Sequence, residues 1–310
     1  MKSNPPTNNI INLPVKAKVR ASGSTARERS NPTGARVIAV TSGKGGVGKT
    51  NIVANLAYAL TLLDKKVLVF DADLGLGNMD VLLGKAPRYN ISHVIKGEKN
   101  IDEITVQGPG GMLILPASSG VQDMTELMPA QRIRILSALD TLMEDIDVLL
   151  LDTAAGISSN VMYFNVSAQE VIVVVTPEPT SITDAYALMK VMSLKYAEKK
   201  FNLLVNMVSG EAEAKDVHRQ LSMVAKRFLD ISIDYLGYIP RDGELTRCVR
   251  GQKLVREQRP SAAASVCFDT IARTLNAKSA PRLPAGYASH FWKHLIGKKF
   301  DEKGQAYADR

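Results

Sequence analysis

Residues 43–50 read GKGGVGKT, a Gly-x-x-x-x-Gly-Lys-Thr spacing suited to holding phosphate. Closely set glycines let successive backbone N–H groups converge on phosphate oxygens, and a helix starting just after them adds the positive end of its dipole. Gly43, Gly45, Gly46, Val47, Gly48 and the following Asn51 belong to that cradle. Lys49 is placed to bridge the outer two phosphates and Thr50 to ligate Mg²⁺. The loop carries a second lysine, Lys44, that its own phosphates do not require. Such a side chain can reach a phosphate held by a second copy of the chain and neutralise charge that builds during phosphoryl transfer, much as an arginine finger does. A face-to-face dimer with nucleotide between the subunits is the expectation.

Two acidic stretches supply what such a loop lacks. In LLLDTAAG, an apolar run ends in Asp152, the pattern that orients a magnesium-bound water. In VLVFDADLGLGNMD, Asp71 and Asp73 leave an apolar run and enter a glycine-punctuated stretch. One of the two is suited to a metal-bound water and the other to the attacking water.

These groups need a frame that brings strand ends together. Short apolar runs at 35–40, 66–73, 112–118, 147–153, 170–177, 202–208 and 231–240 predict strands. Between them, helical periodicity is expected over 50–64, 129–145, 181–199, 213–228 and 261–276. Fully apolar strands alternating with amphipathic helices indicate a doubly wound α/β fold, its mostly parallel sheet covered on both faces. The pattern predicts a single domain over 36–277, a disordered basic arm over 1–35, and a linker with an amphipathic tail over 278–310.

The net charge of +8 is unevenly placed. Residues 1–36 carry +6 and residues 278–310 carry +4, which leaves −2 for everything between. Direct DNA binding by the folded part is therefore not expected, and the tails are suited to an anionic partner. No apolar run reaches the roughly 18 residues of a membrane span, and no secretory h-region opens the chain. Cys248 and Cys267 form no Cys-x-x-Cys or Cys/His cluster, and ordinary reduced thiols of a cytosolic protein are expected. Near the C-terminus, Phe291, Trp292, Leu295, Ile296 and Phe300 fall on one side of a helical projection of 286–300. Lys293, His294 and Lys298 fall opposite, while Lys299 intrudes on the apolar side. A helix of this kind lies in the interface of an anionic membrane, and dimerisation doubles its otherwise marginal grip.

The stretch KGGVGKT is similar to the deviant phosphate-binding motif of the MinD/ParA ATPases, with Lys44 as the signature lysine. That resemblance covers about 36–276 and implies an ATPase cycling between ATP and ADP with Mg²⁺, peripherally attached to the inner face of the cytoplasmic membrane in its ATP state. It implies that Asp73 positions the attacking water, and that Asp71 and Asp152 meet the metal through water. Asp152 opens DTAAG, where the family has Pro in place of Ala154. Asn206, Pro240, Arg241 and Asp242 match adenine-binding positions. Glu178 matches a residue that reaches the partner's nucleotide, and Asp184 one that holds the signature lysine when no partner is present. Within the family, DADLGLGNMDVLLG, DTAAGIS and EPTSITDAYALMK resemble the flagellar-number regulators, FlhG or FleN. Their partners are an FlhF-type GTPase, flagellar transcriptional activators and switch-complex proteins. The D-Q-A-x-x-L-R string carried by some members near the N-terminus does not occur in residues 1–36.

The leading reading is an ATP-dependent dimerising switch that regulates flagellar number or placement, hydrolyses slowly without a stimulating partner, attaches to membrane and recruits partners. A MinD-type division-site regulator or a chromosome-partition ATPase is the alternative within the fold. A third is a nucleotide-sensing adaptor of a transcriptional activator, in which hydrolysis is incidental.

Overall fold

The computed structural model describes residues 35–73, 79–84, 87–116 and 128–278, together with the backbone of two short strands near the C-terminus. The expected arm over 1–34 and most of the expected tail, with Phe291, Trp292, Leu295, Ile296 and Lys298, lie outside the described residues.

The apolar runs form strands, the central ones buried on both faces. They are β1 (Arg36–Ser42), β2 (Val67–Ala72), β3 (Val106–Gln107), β4 (Leu113–Leu115), β5 (Val148–Ala155), β6 (Glu170–Val175), β7 (Lys200–Val208) and β8 (Ser232–Pro240). They order as β3-β4-β2-β5-β1-β6-β7-β8, and every pairing is parallel except β3 with β4. Alternate residues feed opposite layers. Ile38, Val40, Val69, Leu150, Ile172 and Val174 face one layer, which contains α1 (Lys49–Thr61) and α11 (Ala263–Ala277). Val37, Ala39, Phe70, Leu149 and Leu151 face the other, against α5 (Pro129–Met143) and α6 (Ser159–Ser167). There Phe70 meets Phe164 edge-on, with centroids 5.8 Å apart. Farther along the same side, Val173, Val175, Leu203 and Val205 pack with α7 (Pro179–Tyr196) and α8 (Glu211–Leu229).

The remaining helices are short: α2 (Met79–Leu82), α3 (Ile91–Lys96), α4 (Ile101–Ile104), α9 (Gly243–Arg250) and α10 (Val255–Gln258). Sequence periodicity missed all five because each spans too few turns to show a 3.6-residue repeat. It also carried the helix over 181–199 too far. Ala197 adopts a left-handed φ of 59° and turns the Glu198 N–H back to the Met192 carbonyl, closing α7 at Tyr196. The tail helix needs a further correction, since Lys299 and Phe300 are extended as β9 (Lys299–Phe300). They pair antiparallel with β10 (Ala306–Tyr307). Gly297, with its high helix cost, lies two residues before Lys299 in sequence.

Register decides what meets what. β1 lies between β5 and β6 at the centre of the sheet, with Val40 opposite Asp152. Asp71 in β2 is opposite Asp152 in β5. The turn that follows β1 and both buried aspartates therefore share the carboxyl edge of three adjacent strands, where open α/β sheets bind ligands.

Candidate nucleotide site

The loop after β1 has the backbone its glycines permit. Gly46 and Gly48 take left-handed φ values of 77° and 90°, and Gly48 is the residue before α1. Gly43 is confined differently. An ideal Cβ there would stand 2.2 Å from the backbone carbon and oxygen of Asp184, so α7 crosses the loop in direct backbone contact. Ser42 ties the loop together: its hydroxyl donates to the Lys44 carbonyl (2.7 Å) and accepts from the Lys49 ammonium (2.9 Å).

The inner floor is buried and charged. Lys49 is 9% exposed, Asp71 3% and Asp152 2%. Burial pulls the Lys49 ammonium below the ordinary lysine value, and the Asp152 and Asp73 carboxylates work against that. Burial, with the neighbouring Asp71 charge, pushes the Asp152 carboxyl up to about 7, against a hydrogen bond to Thr50 and the charge of Lys49. Asp71 is anchored on both oxygens, accepting from the backbone N–H groups of Asp73 and Met79 at 3.2 Å each. Asp152 Oδ1 is buried with no hydrogen-bond partner among the described residues. A buried carboxylate oxygen with no donor, next to a second carboxylate and a threonine hydroxyl, fits a water-bound Mg²⁺. No group of three His, Cys, Asp or Glu side chains able to ligate a metal occurs among the described residues. The fit is thus to Thr50 with solvent-mediated aspartates, as Mg²⁺ prefers beside phosphate.

At the loop's other end, Asn206 is buried and its amide donates to the Val47 carbonyl (2.7 Å). Its own carbonyl accepts from Met207 N, while Met207 sits at a left-handed φ of 59°. Arg241 holds that kink by donating from Nε to the Met207 carbonyl (2.8 Å). Pro240 ends β8. Asp242 spends both carboxylate oxygens on helix starts, accepting from Glu244 N (2.8 Å) in α9 and Ala264 N (2.9 Å) in α11. Asn51 lies in the first turn of α1, with a buried amide nitrogen that has no partner among the described residues.

The outer rim is a different environment. Lys44 donates to Glu178 Oε2 (2.6 Å) and Thr180 Oγ1 (3.0 Å), with the two charged side chains 37% and 57% exposed. The hydrogen bond and charge of Lys44 hold the Glu178 carboxyl below its usual range. The expectation that Asp184 holds the signature lysine is corrected here. Glu178 is the residue before α7 and stands at the rim, whereas Asp184 lies a turn and a half further along and meets Gly43 through its backbone. Sequence reasoning also missed Ser42 and Thr180. Ser42 ends a strand next to the loop, and Thr180 opens the helix after TPE, but only the folded register shows what each touches.

A phosphate-cradling loop at the centre of a mainly parallel sheet, with paired aspartates on the adjacent strand ends, defines a P-loop nucleotide-binding protein. The family model described as "AAA domain" matches residues 35–205. The chain is 42% identical to Antiactivator FleN of Pseudomonas aeruginosa over 84% of this chain and 93% of that protein. It is 37% identical to Flagellum site-determining protein YlxH of Helicobacter pylori over 86% of this chain and 91% of the relative. Among solved structures, the MinC:MinD cell division protein complex of Aquifex aeolicus superposes with a TM-score of 0.62 at 28% identity, covering 81% of this chain and 99% of that one. The chain belongs to the MinD/ParA family of ATPases.

Proposed function

We propose that this protein is an ATP-dependent dimerising switch that sets flagellar number or placement. The observation that carries the reading is the divergence of the loop's two lysines. Lys49 turns inward to Ser42 and the aspartates, while Lys44 turns out of its own loop to the rim. A cation on the rim serves a phosphate on another subunit better than its own. Similarity to an antiactivator and to a flagellum site-determining protein supports the flagellar assignment.

In this reading Gly43–Asn51 cradle the phosphates of ATP or ADP, and Lys49 neutralises the outer two. Thr50 ligates Mg²⁺ while Asp71 and Asp152 hold its waters; the ion, when bound, draws charge from the phosphate oxygens. Asp73 orients the attacking water, and Lys44 of the second subunit meets the developing charge. Asn206, Arg241 and the Pro240 turn flank the adenine. Glu178 turns to the partner's nucleotide once the dimer forms. Turnover is slow until a partner completes the site. Partners are a flagellar transcriptional activator, an FlhF-type GTPase or a switch-complex protein, and the C-terminal segment holds the dimer to an anionic membrane. No helix among the described residues is long and apolar enough to cross one.

Similarity to MinD, the partner of MinC in the Aquifex complex, favours a division-site role as the second reading. Deleting the gene separates them by whether flagellar number or septum position changes. The biochemical core is tested by liposome sedimentation with size-exclusion mass, in ATP and in ADP, for wild type and Lys44→Ala. A lipid-bound dimer in ATP alone, lost in the variant, is expected. Mass and lipid binding that ignore nucleotide would defeat the switch.

A further inference from the structure

Asn55 is fully buried in α1, four residues after Asn51 and on the same face of the helix. Its carboxamide has no freedom to turn over. The oxygen accepts from the backbone N–H of Arg256 (3.2 Å), and the nitrogen donates to the Asn51 backbone carbonyl (3.0 Å). A backbone N–H can only donate and a carbonyl only accept, so these two partners fix which end of the carboxamide is which. The same nitrogen also donates to Asn51 Oδ1 (3.1 Å). That bond orients Asn51 in turn, with its oxygen facing Asn55 and its Nδ2 facing away. This nitrogen is buried and has no hydrogen-bond partner among the described residues. Helical side chains lean toward the helix N-terminus, which for Asn51 means Gly48 and the phosphate loop. A buried donor without an acceptor is costly, and a phosphate oxygen in the loop relieves it.

The other end of this chain of bonds is equally fixed. Arg256 lies in the first turn of α10, where backbone N–H groups have no partner within the helix. The residue before α10 is Leu254, which has no side-chain oxygen to cap it. Asn55 caps it instead, from α1. Leu254 and Val255 are fully buried in the same core cluster as Ile52 and Leu56 of α1, so packing sets the anchor.

We infer that Asn55 is a positioning residue for the nucleotide: anchored on α10, it turns the Asn51 carboxamide so that a donor and not an acceptor faces the phosphates. The inference rests on the nucleotide-site reading above and adds to it the residue outside the loop that sets the polarity of Asn51. An Asn51 left unheld presents either end, and its oxygen repels a phosphate oxygen. Coupling is reciprocal, so a nucleotide that takes the Asn51 donor also steadies the bond between Asn55 and Arg256.

The test uses the full chain and two readouts. The first is ADP affinity by calorimetry in the presence of Mg²⁺. Asn51→Ala removes the donor and is expected to weaken ADP about ten- to hundredfold, as for a hydrogen bond to a charged group. Asn55→Leu leaves Asn51 in place but unheld, with an expected loss of about three- to tenfold. In the double variant the losses are not expected to multiply, and its affinity stays within about twofold of Asn51→Ala alone. Asp269 accepts from Arg256 Nε (2.6 Å), so Asp269→Asn loosens α10 elsewhere and is expected to bind ADP like wild type. Losses that multiply in the double variant overturn the inference, because Asn55 then acts independently of Asn51. A loss in Asp269→Asn as large as in Asn55→Leu overturns it too, because Asn55 then only fastens α10.

The second readout is amide hydrogen exchange at Arg256, which needs no Asn55 variant to fold. It is measured against the Arg259 N–H, which bonds the Val255 carbonyl. Saturating ADP is expected to slow Arg256 about fivefold or more relative to Arg259 in wild type, and to leave that ratio unchanged in Asn51→Ala. Equal slowing in both proteins, or none in wild type, overturns the inference. A wild type that gives no heat with ADP overturns the nucleotide-site reading instead, and is told apart because no variant then differs from it.

Discussion

Lys49 and Lys44 are five residues apart on one loop and live under opposite physics. Lys49 is 9% exposed, wedged among Ser42, Asp152 and Asp73, and burial itself is the largest influence on its proton. Lys44 is partly solvated and grips an exposed carboxylate and hydroxyl. Buried charges interact strongly and cannot be removed without leaving an uncompensated neighbour. Exposed pairs contribute little, because water and salt screen them and long side chains lose entropy when held. One short loop thus has a floor that is electrostatically stiff and a rim that is electrostatically soft. A fixed cation is suited to binding phosphate in place, and a weakly held one to changing partners.

The stiff floor gives the largest expected effect, in the absence of nucleotide and metal. The Asp152 carboxyl is held near 7 in the folded chain, against 3.8 for the ordinary group. Between those values the folded state keeps a proton that the unfolded state has lost, so stability falls as pH rises from about 4 to about 7 and levels off beyond. Three units at 1.36 kcal/mol each put the whole span on the order of 4 kcal/mol. Other carboxylates titrate as well, so the quantity to follow is the difference between wild type and Asp152→Asn. Urea unfolding at intervals from pH 5 to pH 8 in EDTA is expected to show wild type losing stability relative to the variant as pH rises. A constant difference would mean that Asp152 is ionised throughout and that the floor is no stiffer than the rim.

The junction between floor and rim comes next. Gly43→Ala would bring a Cβ to 2.2 Å of the Asp184 backbone, and no flexible side-chain end is there to give way. Overpacking of this kind costs about 1–3 kcal/mol. For a chain of this size each kcal/mol lowers Tm by about 2–4 °C. Gly45→Ala is the control, since nothing lies within 4 Å of its ideal Cβ, and it is expected to melt with wild type. Equal melting of Gly43→Ala and Gly45→Ala would show that α7 and the loop are not locked at the main chain.

These contacts also mark how far the sequence could be read. The strands, the loop and the carboxyl-edge positions of Asp71 and Asp152 are legible because each depends on a local run, apolar residues ending in a charge or a glycine turn. Parallel order then brings the runs side by side, and Asp71 falls opposite Asp152. What is not legible depends on the phase of one element against another far away in sequence. Gly43 against Asp184, Lys44 against Glu178 and Thr180, and Asn206 against Val47 all span more than 130 residues. Asp242 shows the same limit at shorter range. It matches an adenine-binding position by resemblance, yet both its oxygens cap helices here, one of them in α11, whose approach the sequence does not announce.

The soft rim gives the smallest stability effect, and that smallness is itself the test. Lys44→Ala removes both bonds to α7, but Glu178 is left in solvent, where water replaces the ammonium. No buried group is stranded and no cavity opens. Melting within about 1 °C of wild type is therefore expected, with or without added salt. The same variant is expected to lose nucleotide-dependent dimerisation, so one substitution separates what holds the fold from what switches it. A fall in Tm of several degrees would mean that the Lys44–Glu178 pair helps fasten α7 to the loop. The rim would then be structural, a lysine so engaged would be a poor candidate to cross between subunits, and the division of labour between the two lysines would fail.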